Sequence, residues 1–345
     1  MAMFSEFPIP SHFQPDRVGA IWRVPYQQRA ADAEAWSQKY QIPPAKEDKF
    51  RTCLLLVDVQ NTFCIPGFGL YVGGENGKAA IEDNQRLCAF IYRNLANITT
   101  IVPTMDTHTA MQVFHAIFWV NDAGEHPEPL TVISWEDVRN GVWQVNPAVA
   151  DSVADGDCNS LQKDAIHYVE QLTAAGKYPL TIWPYHSMLG GIGHALVPAV
   201  EEAVFFHNIA RRSQTQFEMK GDNPRTENYS VFSPEVLQGY DGRAIAQKNT
   251  ALLAQLLDYD AIVIAGEAKS HCVAWTVEDL LAEIQSRDAS LTNKVYLLED
   301  CTSPVVVPDV VDFTASANET FQRFADAGMH LVNSQEKMAN WLVNS

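Results

Sequence analysis

The sequence lacks the features that suggest binding to nucleic acid or to membranes. It has no Lys/Arg cluster, and its formal net charge is −18 at pH 7. Such a charge repels phosphate backbones and anionic lipid headgroups. No apolar run approaches the roughly 18 to 20 residues of a membrane span, and the first residues lack the basic and apolar segments of a secretion signal. We therefore expect a soluble protein that binds neither partner.

Paired cysteines are also lacking. The six cysteines are scattered without a C-x-x-C pair, and a chain of 345 residues can bury a core without disulfides. We therefore expect free thiols and a cytoplasmic location. Hydrophobic residues make up 47% of the chain and charged residues 19%, so it should fold rather than remain disordered.

Strand and helix patterns alternate along most of the chain. Residues 53–59 (CLLLVDV) form a nearly continuous apolar run, which is typical of a strand buried on both faces of a parallel sheet. Further strands are predicted at 98–104, 204–207, 261–265, 295–299 and 330–332, and helices at 76–95, 243–257, 273–287 and 312–327. The alternation predicts a doubly wound, Rossmann-like, mainly parallel sheet with helices on both faces, a three-layer αβα arrangement.

Two regions depart from this rhythm. Residues 1–50 are predicted to form an N-terminal arm with a helix near 27–40, and residues 51–345 are predicted to form the main domain. The arm has aromatic residues that should pack on the core or on a neighbouring subunit, namely Phe4, Phe7, Phe13, Trp22, Tyr26 and Trp36. Residues from about 120 to 180 predict an insertion with a helix at 159–174.

Asp58 and Cys272 are candidate catalytic residues. Asp58 ends a buried strand, where a carboxylate is costly unless it is paired or lies at the open end of the strand. It could also cap the following loop. Cys272 follows the strand at 261–265 and begins a helix, whose positive dipole end favours a thiolate and whose free N–H groups could hold an oxyanion. The alternative for a lone cysteine is a small buried hydrophobe.

A metal site is suggested by Asp106 and His108 after the strand at 98–104, with His115 nearby and His186 later in the chain. Imidazole and carboxylate groups together suit Zn, Fe or Mn. Each histidine could instead be an ordinary hydrogen-bonded residue.

Five segments in order resemble the nicotinamidases of the isochorismatase-like superfamily of cysteine hydrolases. They are VDVQNTFC from Val57, MDTH from Met105, WPYH from Trp183, MKG from Met219 with NYSVF from Asn228, and AGEAKSHCV from Ala265. The resemblance covers roughly residues 53–332 outside the insertion.

The resemblance implies a catalytic triad of Cys272, Asp58 and Lys220. Cys272 would attack an amide carbonyl, Asp58 would move the thiol proton to the leaving ammonia, and Lys220 would hold the pair electrostatically. The backbone N–H groups of Cys272 and His271 would form the oxyanion hole. A cis peptide is expected at Glu267-Ala268.

The resemblance also implies a divalent metal ion held by Asp106, His108 and His186, with His115 as a fourth ligand in some members. This metal would anchor the pyridine nitrogen of nicotinamide. A ring pocket would be lined by Phe63, Trp183, Tyr229 and His271, although Phe63 and Trp183 could be core aromatics.

Some positions differ from the pattern of the family. The usual loop reads G-x-A-T-D-x-C-V, but Lys269 and Ser270 stand where Thr and Asp are common, and Thr62 replaces a common Asp. After His186 the usual C-V-x-G-T is also absent. These differences keep the triad but loosen the substrate assignment.

We expect an enzyme that hydrolyses C–N bonds of linear amides, converting nicotinamide or a related carboxamide to the acid and ammonia through a Cys thioester. The alternatives are a hydrolase of a carbamoyl or ureido compound and a non-catalytic ligand-binding relative. Isochorismatase activity fits less well, since it needs no cysteine nucleophile. The resemblance and the apolar arm also suggest a homo-oligomer.

Overall fold

A computed structural model describes residues 5–308 and 310–342. The chain forms two compact units. Unit 1 takes in Met1–Met105, Ala195–Glu218 and Thr250–Ser345, and unit 2 takes in Asp106–His194 and Met219–Asn249. All six cysteines are free thiols. Within the described residues, no helix is both long enough and apolar enough to cross a membrane.

The strands include those of the predicted sheet. In chain order they are β1 (Thr52–Val57), β2 (Thr100–Asp106), β3 (Trp119–Val120), β4 (Val132–Ile133), β5 (Gln144–Val145), β6 (Leu180–Thr181), β7 (Glu218–Lys220), β8 (Ala261–Gly266), β9 (Val295–Leu298), β10 (Val306–Val307), β11 (Val311–Asp312) and β12 (His330–Val332). The main sheet has the order β12-β9-β8-β1-β2-β7. The pairings from β12 through to β2 are all parallel. The predicted three-layer α/β fold is confirmed.

The helices vary from one turn to about five. They are α1 (Tyr26–Tyr40), α2 (Asn61–Cys64), α3 (Ala79–Arg93), α4 (Trp135–Arg139), α5 (Ala150–Val153), α6 (Cys158–Ala174), α7 (Pro198–Arg211), α8 (Thr250–Leu257), α9 (Cys272–Arg287), α10 (Thr314–Asp326) and α11 (Met338–Leu342). Short 3-10 helices lie at Pro15–Arg17, Ala45–Glu47, Ala116–Phe118, Pro147–Val149, Ala289–Lys294 and Glu299–Cys301.

The centre of the sheet is the pair β1 and β8. Every residue of both strands is buried, as their apolar runs predict. The strands run in register to their ends, where Val57 pairs with Gly266. Gly266 has φ +121, and a Cβ there would lie 2.0 Å from the Val57 carbonyl oxygen, so only glycine fits. The chain therefore leaves both strands at one edge of the sheet.

The predicted strand at 204–207 is wrong, because these residues lie within α7. Buried positions recur along α7 at helical spacing, at Val200, Ala203, Val204 and His207. A short apolar run does not distinguish a strand from one turn of a buried helix. The predicted helix at 243–257 is also shorter than expected, since α8 begins at Thr250.

The N-terminal arm packs on unit 1, of which it is part. Its helix α1 contacts α7, with the rings of Tyr26 and Phe205 5.0 Å apart and those of Trp36 and Phe206 6.2 Å apart. The Arg29 guanidinium donates to the Glu202 carboxylate at 2.6 Å. Phe4 lies outside the described residues. The apolar contacts of the other arm aromatics explain why the arm is ordered.

Unit 2 has its own hydrophobic core. β3 pairs with β5 and β4 with β6, both antiparallel, and α6 supplies a long amphipathic helix. Buried residues from 133 to 172 pack with Phe114, Trp119, Ile182 and Val236. Much of the stretch predicted as an insertion is therefore part of the same core as the residues that flank it.

Candidate active site

Asp58 directly follows β1 and is fully buried. It has a positive φ of 48°, which an L-residue adopts only when its surroundings hold it there. Thr104 on β2 makes two hydrogen bonds to it. The Thr104 hydroxyl donates to Asp58 Oδ1 at 2.5 Å and accepts from the Asp58 backbone N–H at 3.0 Å. Sequence reasoning missed Thr104, although it lies on the strand expected beside β1.

Cys272 is the first residue of α9, six residues after the end of β8, and its side chain is buried. The intervening loop begins with a cis peptide between Glu267 and Ala268. The Glu267 N–H donates to the Val57 carbonyl at 2.8 Å, which attaches the loop to the end of β1. Because β1 and β8 are parallel neighbours, Asp58 and the loop of Cys272 leave the sheet at one carboxyl edge, where active sites of such folds form.

The two unusual loop residues have structural partners. The Lys269 amine donates to Glu299 at 3.1 Å and to Asn318 at 2.8 Å. The Ser270 hydroxyl accepts from the Val305 N–H at 3.0 Å and lies 2.8 Å from His271 Nδ1. Both side chains therefore secure the loop to later segments of unit 1.

His271 lies between the loop and α9. Burial lowers the pKa of its imidazole to about 4, so the ring is neutral at pH 7. Its ring and that of Phe313 are in a T-shaped arrangement with centroids 4.8 Å apart. Its backbone N–H donates to the Ala268 carbonyl at 3.0 Å. This N–H could donate to an oxyanion only if its hydrogen bond to the Ala268 carbonyl weakened.

Unit 2 brings three predicted metal ligands together. Asp106, His108 and His186 are buried, and their candidate donor atoms all lie within 4.8 Å of one another. Asp106 Oδ2 lies 2.8 Å from His108 Nε2 and 3.4 Å from His186 Nε2. The two imidazole rings are 4.6 Å apart. One carboxylate oxygen thus faces two imidazole nitrogens.

Backbone carbonyls orient both imidazoles. His108 Nδ1 lies 2.9 Å from the Gly221 carbonyl, and His186 Nδ1 lies 2.8 Å from the Pro184 carbonyl. A neutral ring whose Nδ1–H donates to a carbonyl has a lone pair on Nε2. The lone pairs of both rings then converge on the Asp106 carboxylate, and a cation between them would relieve the repulsion. The geometry therefore fits a divalent metal ion, and the donor set suits Zn, Fe or Mn.

Lys220 and Gly221 complete this group. The Lys220 amine donates to Asp106 Oδ1 at 3.0 Å and to the Asn228 carbonyl at 2.9 Å. Gly221 has φ +85, and a Cβ there would lie 2.8 Å from His108 Cε1. Burial alone would raise the pKa of Asp106, but a proton on His108 and the Lys220 ammonium hold that pKa well below its ordinary value. A bound cation would take the place of the His108 proton. Asp106 is therefore ionised and ready to bind a cation.

His115 is fully buried near the same group but is not one of the three clustered ligands. Its ring centroid is 6.0 Å from that of His108, and its Nδ1 is 3.2 Å from the Ala110 carbonyl. Burial and the two neighbouring histidines lower its pKa to about 3. No residue of the described chain hydrogen-bonds His115 Nε2. Its role as a fourth ligand stays a prediction.

The predicted pocket aromatics fall in both units. In unit 2, Trp183 Nε1 donates to Glu227 Oε1 at 2.9 Å, and Tyr229 also hydrogen-bonds the Glu227 carboxyl. Burial, with the nearby Glu235 carboxylate, raises the pKa of Glu227 to about 8. In unit 1, Phe63 lies on α2 within the hydrophobic core. Sequence reasoning missed Glu227, whose partner Trp183 is 44 residues away.

Phe114 connects the core of unit 2 to the candidate metal ligands. It is fully buried in that core, and its ring contacts that of His108 at a centroid distance of 4.8 Å. The backbone N–H of Trp183 donates to the Phe114 carbonyl at 2.8 Å. The residues predicted as an insertion thus help to fix the position of His108.

Comparison with solved structures identifies the fold. No known family model matches the chain, and no curated protein matches its sequence. The yeast nicotinamidase Pnc1p bound to the inhibitor nicotinaldehyde gives a TM-score of 0.50 at 17% identity, covering 82% of this chain and 99% of that chain. A further structure of yeast Pnc1p gives 0.50 at 18% identity with the same coverage. The Acinetobacter baumanii nicotinamidase pyrazinamidase gives 0.47 at 18% identity, covering 84% of this chain and 98% of that chain.

At this level of identity the yeast structures show a shared fold. The chain has the fold of the isochorismatase-like superfamily, to which these nicotinamidases belong. The resemblance inferred from the sequence motifs is confirmed at that level.

Proposed function

We propose that this protein is a metal-assisted cysteine amidohydrolase that converts nicotinamide or a related small carboxamide to the acid and ammonia. The observation that carries the proposal is the pairing of β1 with β8. It brings Asp58 and the loop of Cys272 to the same carboxyl edge of the sheet. A buried carboxylate and a cysteine at a helix N-terminus are suited to general base and nucleophile.

The reaction has two halves. In the first, Asp58 takes the thiol proton of Cys272 as Sγ attacks the amide carbonyl carbon, and the tetrahedral intermediate then collapses. The C–N bond breaks, and Asp58 gives its proton to the leaving nitrogen, which departs as ammonia. In the second, Asp58 takes a proton from a water molecule that attacks the thioester carbonyl. The C–S bond then breaks, Asp58 returns the proton to Sγ to regenerate the thiol, and the acid leaves.

Three further groups assist in this proposal. Lys220 would favour the charged forms of Asp58 and Cys272, as the resemblance implies. The backbone N–H groups at the start of α9 would stabilise the oxyanion. His271 would contact the substrate as a neutral ring, because burial lowers its pKa to about 4.

Asp106, His108 and His186 would hold the metal ion, which when bound would anchor a ring nitrogen of the substrate. Trp183 and Tyr229 would line the ring pocket. Glu227 would fix Trp183 and Tyr229 through its hydrogen bonds to both.

Ammonia release from nicotinamide tests the proposal. We expect release by metal-loaded protein, a loss of at least about 1,000-fold in Cys272→Ala, and a loss on chelation that added Zn²⁺, Fe²⁺ or Mn²⁺ reverses. Nicotinaldehyde, the inhibitor seen in the yeast enzyme, should protect Cys272 from iodoacetamide. Nicotinamide hydrolysis that persists in Cys272→Ala would overturn the proposed mechanism.

A carbamoyl or ureido compound is the second candidate substrate. Glu227 favours it, because a buried carboxyl beside the pocket aromatics offers hydrogen-bonding capacity that an unsubstituted pyridine ring does not use. Release of ammonia from such compounds, with none from nicotinamide, would select this candidate. An inert Cys272 and no hydrolysis of either class would leave a non-catalytic ligand-binding protein.

A further inference from the structure

Two buried carboxyl groups meet behind the loop of Cys272. Asp83 on α3 is 3% exposed, and Glu267, the first residue after β8, is 1% exposed. Their carboxyl groups hydrogen-bond each other. Two carboxylates cannot do this without a proton, because both would be acceptors only.

The hydrogen-bond partners of the four oxygens show where such a proton would lie. Asp83 Oδ1 accepts from the Arg86 guanidinium at 2.7 Å, and the Ser303 hydroxyl also bonds the Asp83 carboxyl. Glu267 Oε2 accepts from the Ser303 backbone N–H at 3.3 Å. Within residues 5–308 and 310–342, no N–H or hydroxyl group donates to Asp83 Oδ2 or Glu267 Oε1, and both are buried. A single proton shared by these two oxygens satisfies both.

The pair lies where it can control the position of the nucleophile. Glu267 is five residues before Cys272, and its backbone N–H is bound to the Val57 carbonyl, next to Asp58. The Lys269 N–H donates to the Ser303 carbonyl at 2.8 Å, so Ser303 contacts the loop at a second point. The side chain of Glu267 therefore connects the loop to α3, while its backbone connects the loop to β1.

We propose that Asp83 and Glu267 share one proton, and that this proton-linked pair positions the loop 267–271 and hence Cys272. The role in positioning a nucleophile rests on the proposed function, whereas the shared proton does not. Loss of the proton would place two buried carboxylates against each other and release the loop from α3.

The surroundings favour the protonated pair. The Arg86 guanidinium contacts it, and the thiols and phenol that sense its charge are those of Cys64, Cys301 and Tyr71. Two more carboxyl groups lie around these neighbours, Asp58 near Cys64 and Asp300 near Cys301 and Arg86. Burial raises the pKa of Glu267 well above its ordinary value and also raises that of Asp83. The folded chain thus keeps a proton that the unfolded chain releases. The stability from the pair is complete below the unfolded pKa values and is lost as pH rises through the folded value.

Glu267→Gln tests the proposal, since its amide can donate to Asp83 and its carbonyl can accept from Ser303 at any pH. Wild type and Glu267→Gln are compared from about pH 6 to about pH 10 by two measurements. One is hydrogen exchange of residues 266–273 and the other is iodoacetamide labelling of Cys272, and peptide mass spectrometry follows both. Glu82→Gln, one position away on α3 and partly exposed, is the matched control.

We expect wild type and Glu267→Gln to agree at the acidic end, with wild-type loop exchange at least about ten-fold faster than in Glu267→Gln at the alkaline end. Glu82→Gln should follow wild type. The infrared difference spectrum, wild type minus Glu267→Gln, should contain a neutral carboxylic-acid band, whereas the band of Glu227, present in both, cancels. Asp83→Asn should show the same alkaline protection, and it replaces Glu267→Gln if that variant does not fold.

Parallel pH dependence of loop exchange in wild type and both amide variants would overturn the proposal, as would an unchanged infrared band. These readouts need no turnover. If the proposed function were wrong, ammonia release would be missing in wild type or would persist in Cys272→Ala, while the exchange and infrared differences remained, so the two ideas fail separately.

Discussion

In unit 1, the candidate chemistry follows regular secondary structure. Asp58 follows β1, Cys272 begins α9, and parallel pairing of β1 with β8 sets their common edge. In unit 2, the candidate metal ligands lie at the end of β2 and in irregular segments, and backbone carbonyls orient the two histidines. The sheet therefore positions the candidate nucleophile, and individual contacts position the candidate metal ligands.

This difference makes the two groups sensitive to different changes. Many backbone hydrogen bonds hold the edge of the sheet. We therefore expect a change in one neighbouring side chain to alter the reactivity of the candidate nucleophile without displacing it. The metal group depends on a few close contacts at Gly221, Pro184 and Phe114, and one added atom can disturb it. Variants in each unit can therefore test whether the two groups respond to different substitutions.

Gly221→Ala should have the largest effect. Its Cβ would lie 2.8 Å from His108 Cε1 and 2.9 Å from Asp106 Oδ1. We expect metal affinity to fall by about 10- to 100-fold, with a matching loss of ammonia release at limiting metal. Metal analysis and chelator competition measure it. Gly242→Ala is the control, because Gly242 also has positive φ but a Cβ there meets nothing within 4 Å. Equal metal affinity in both variants would contradict the expectation.

Thr104→Val should have an intermediate effect confined to the nucleophile group. It removes the hydroxyl that donates to Asp58 Oδ1 and accepts its backbone N–H. We expect kcat to fall by about ten-fold or more, with KM and metal content nearly unchanged. Thr104→Ser should retain most of the activity. A larger change in metal content than in kcat would show that the two groups are not held independently.

Glu227→Gln should have a smaller effect, visible mainly in alkaline solution. Burial raises the pKa of Glu227 to about 8, above the unfolded value of about 4.3. Its contribution to stability is therefore full below the unfolded pKa and is lost as pH rises through about 8. The midpoint temperature of thermal unfolding should fall less in the variant than in wild type between about pH 7 and about pH 10. Identical declines would mean that Glu227 is already ionised in the folded protein.

Lys269→Met should have the smallest effect. The Lys269 amine is bonded to Glu299 and Asn318, and Glu299 is half exposed, so solvent can replace the lost partner. We expect kcat/KM within about two-fold of wild type and a change of about 1 kcal/mol or less in the free energy of unfolding. Steady-state kinetics and thermal unfolding measure both. A ten-fold loss of kcat/KM would place Lys269 in the chemistry instead.

The sequence predicts the sheet well because β1 and β8 are unbroken apolar runs with helices after them. It also predicts the grouping of Asp106, His108 and His186, although only through the resemblance to a family. Apolar content alone misplaced the residues 204–207, because a run of four fits a strand and a turn of a helix equally well.

Contacts between distant segments could not be predicted. Asp83 and Glu267 are 184 positions apart, and each alone is an ordinary acidic residue. Thr104 and Glu227 acquire their roles only through partners that the fold supplies, Asp58 and Trp183. Hydrophobic periodicity indicates which face of a helix or strand is buried. It does not indicate which polar group a side chain on that face will contact.

Trapping of the covalent intermediate tests the role of Cys272 most directly. Metal-loaded protein is mixed with excess nicotinamide, quenched with acid within the first turnover, digested and examined by mass spectrometry. We predict a nicotinoyl thioester on the peptide that contains Cys272, and none on the corresponding peptide of Cys272→Ser or on the other cysteine peptides. Ammonia release without any acyl adduct on Cys272, persisting in Cys272→Ser, would contradict a cysteine amidohydrolase.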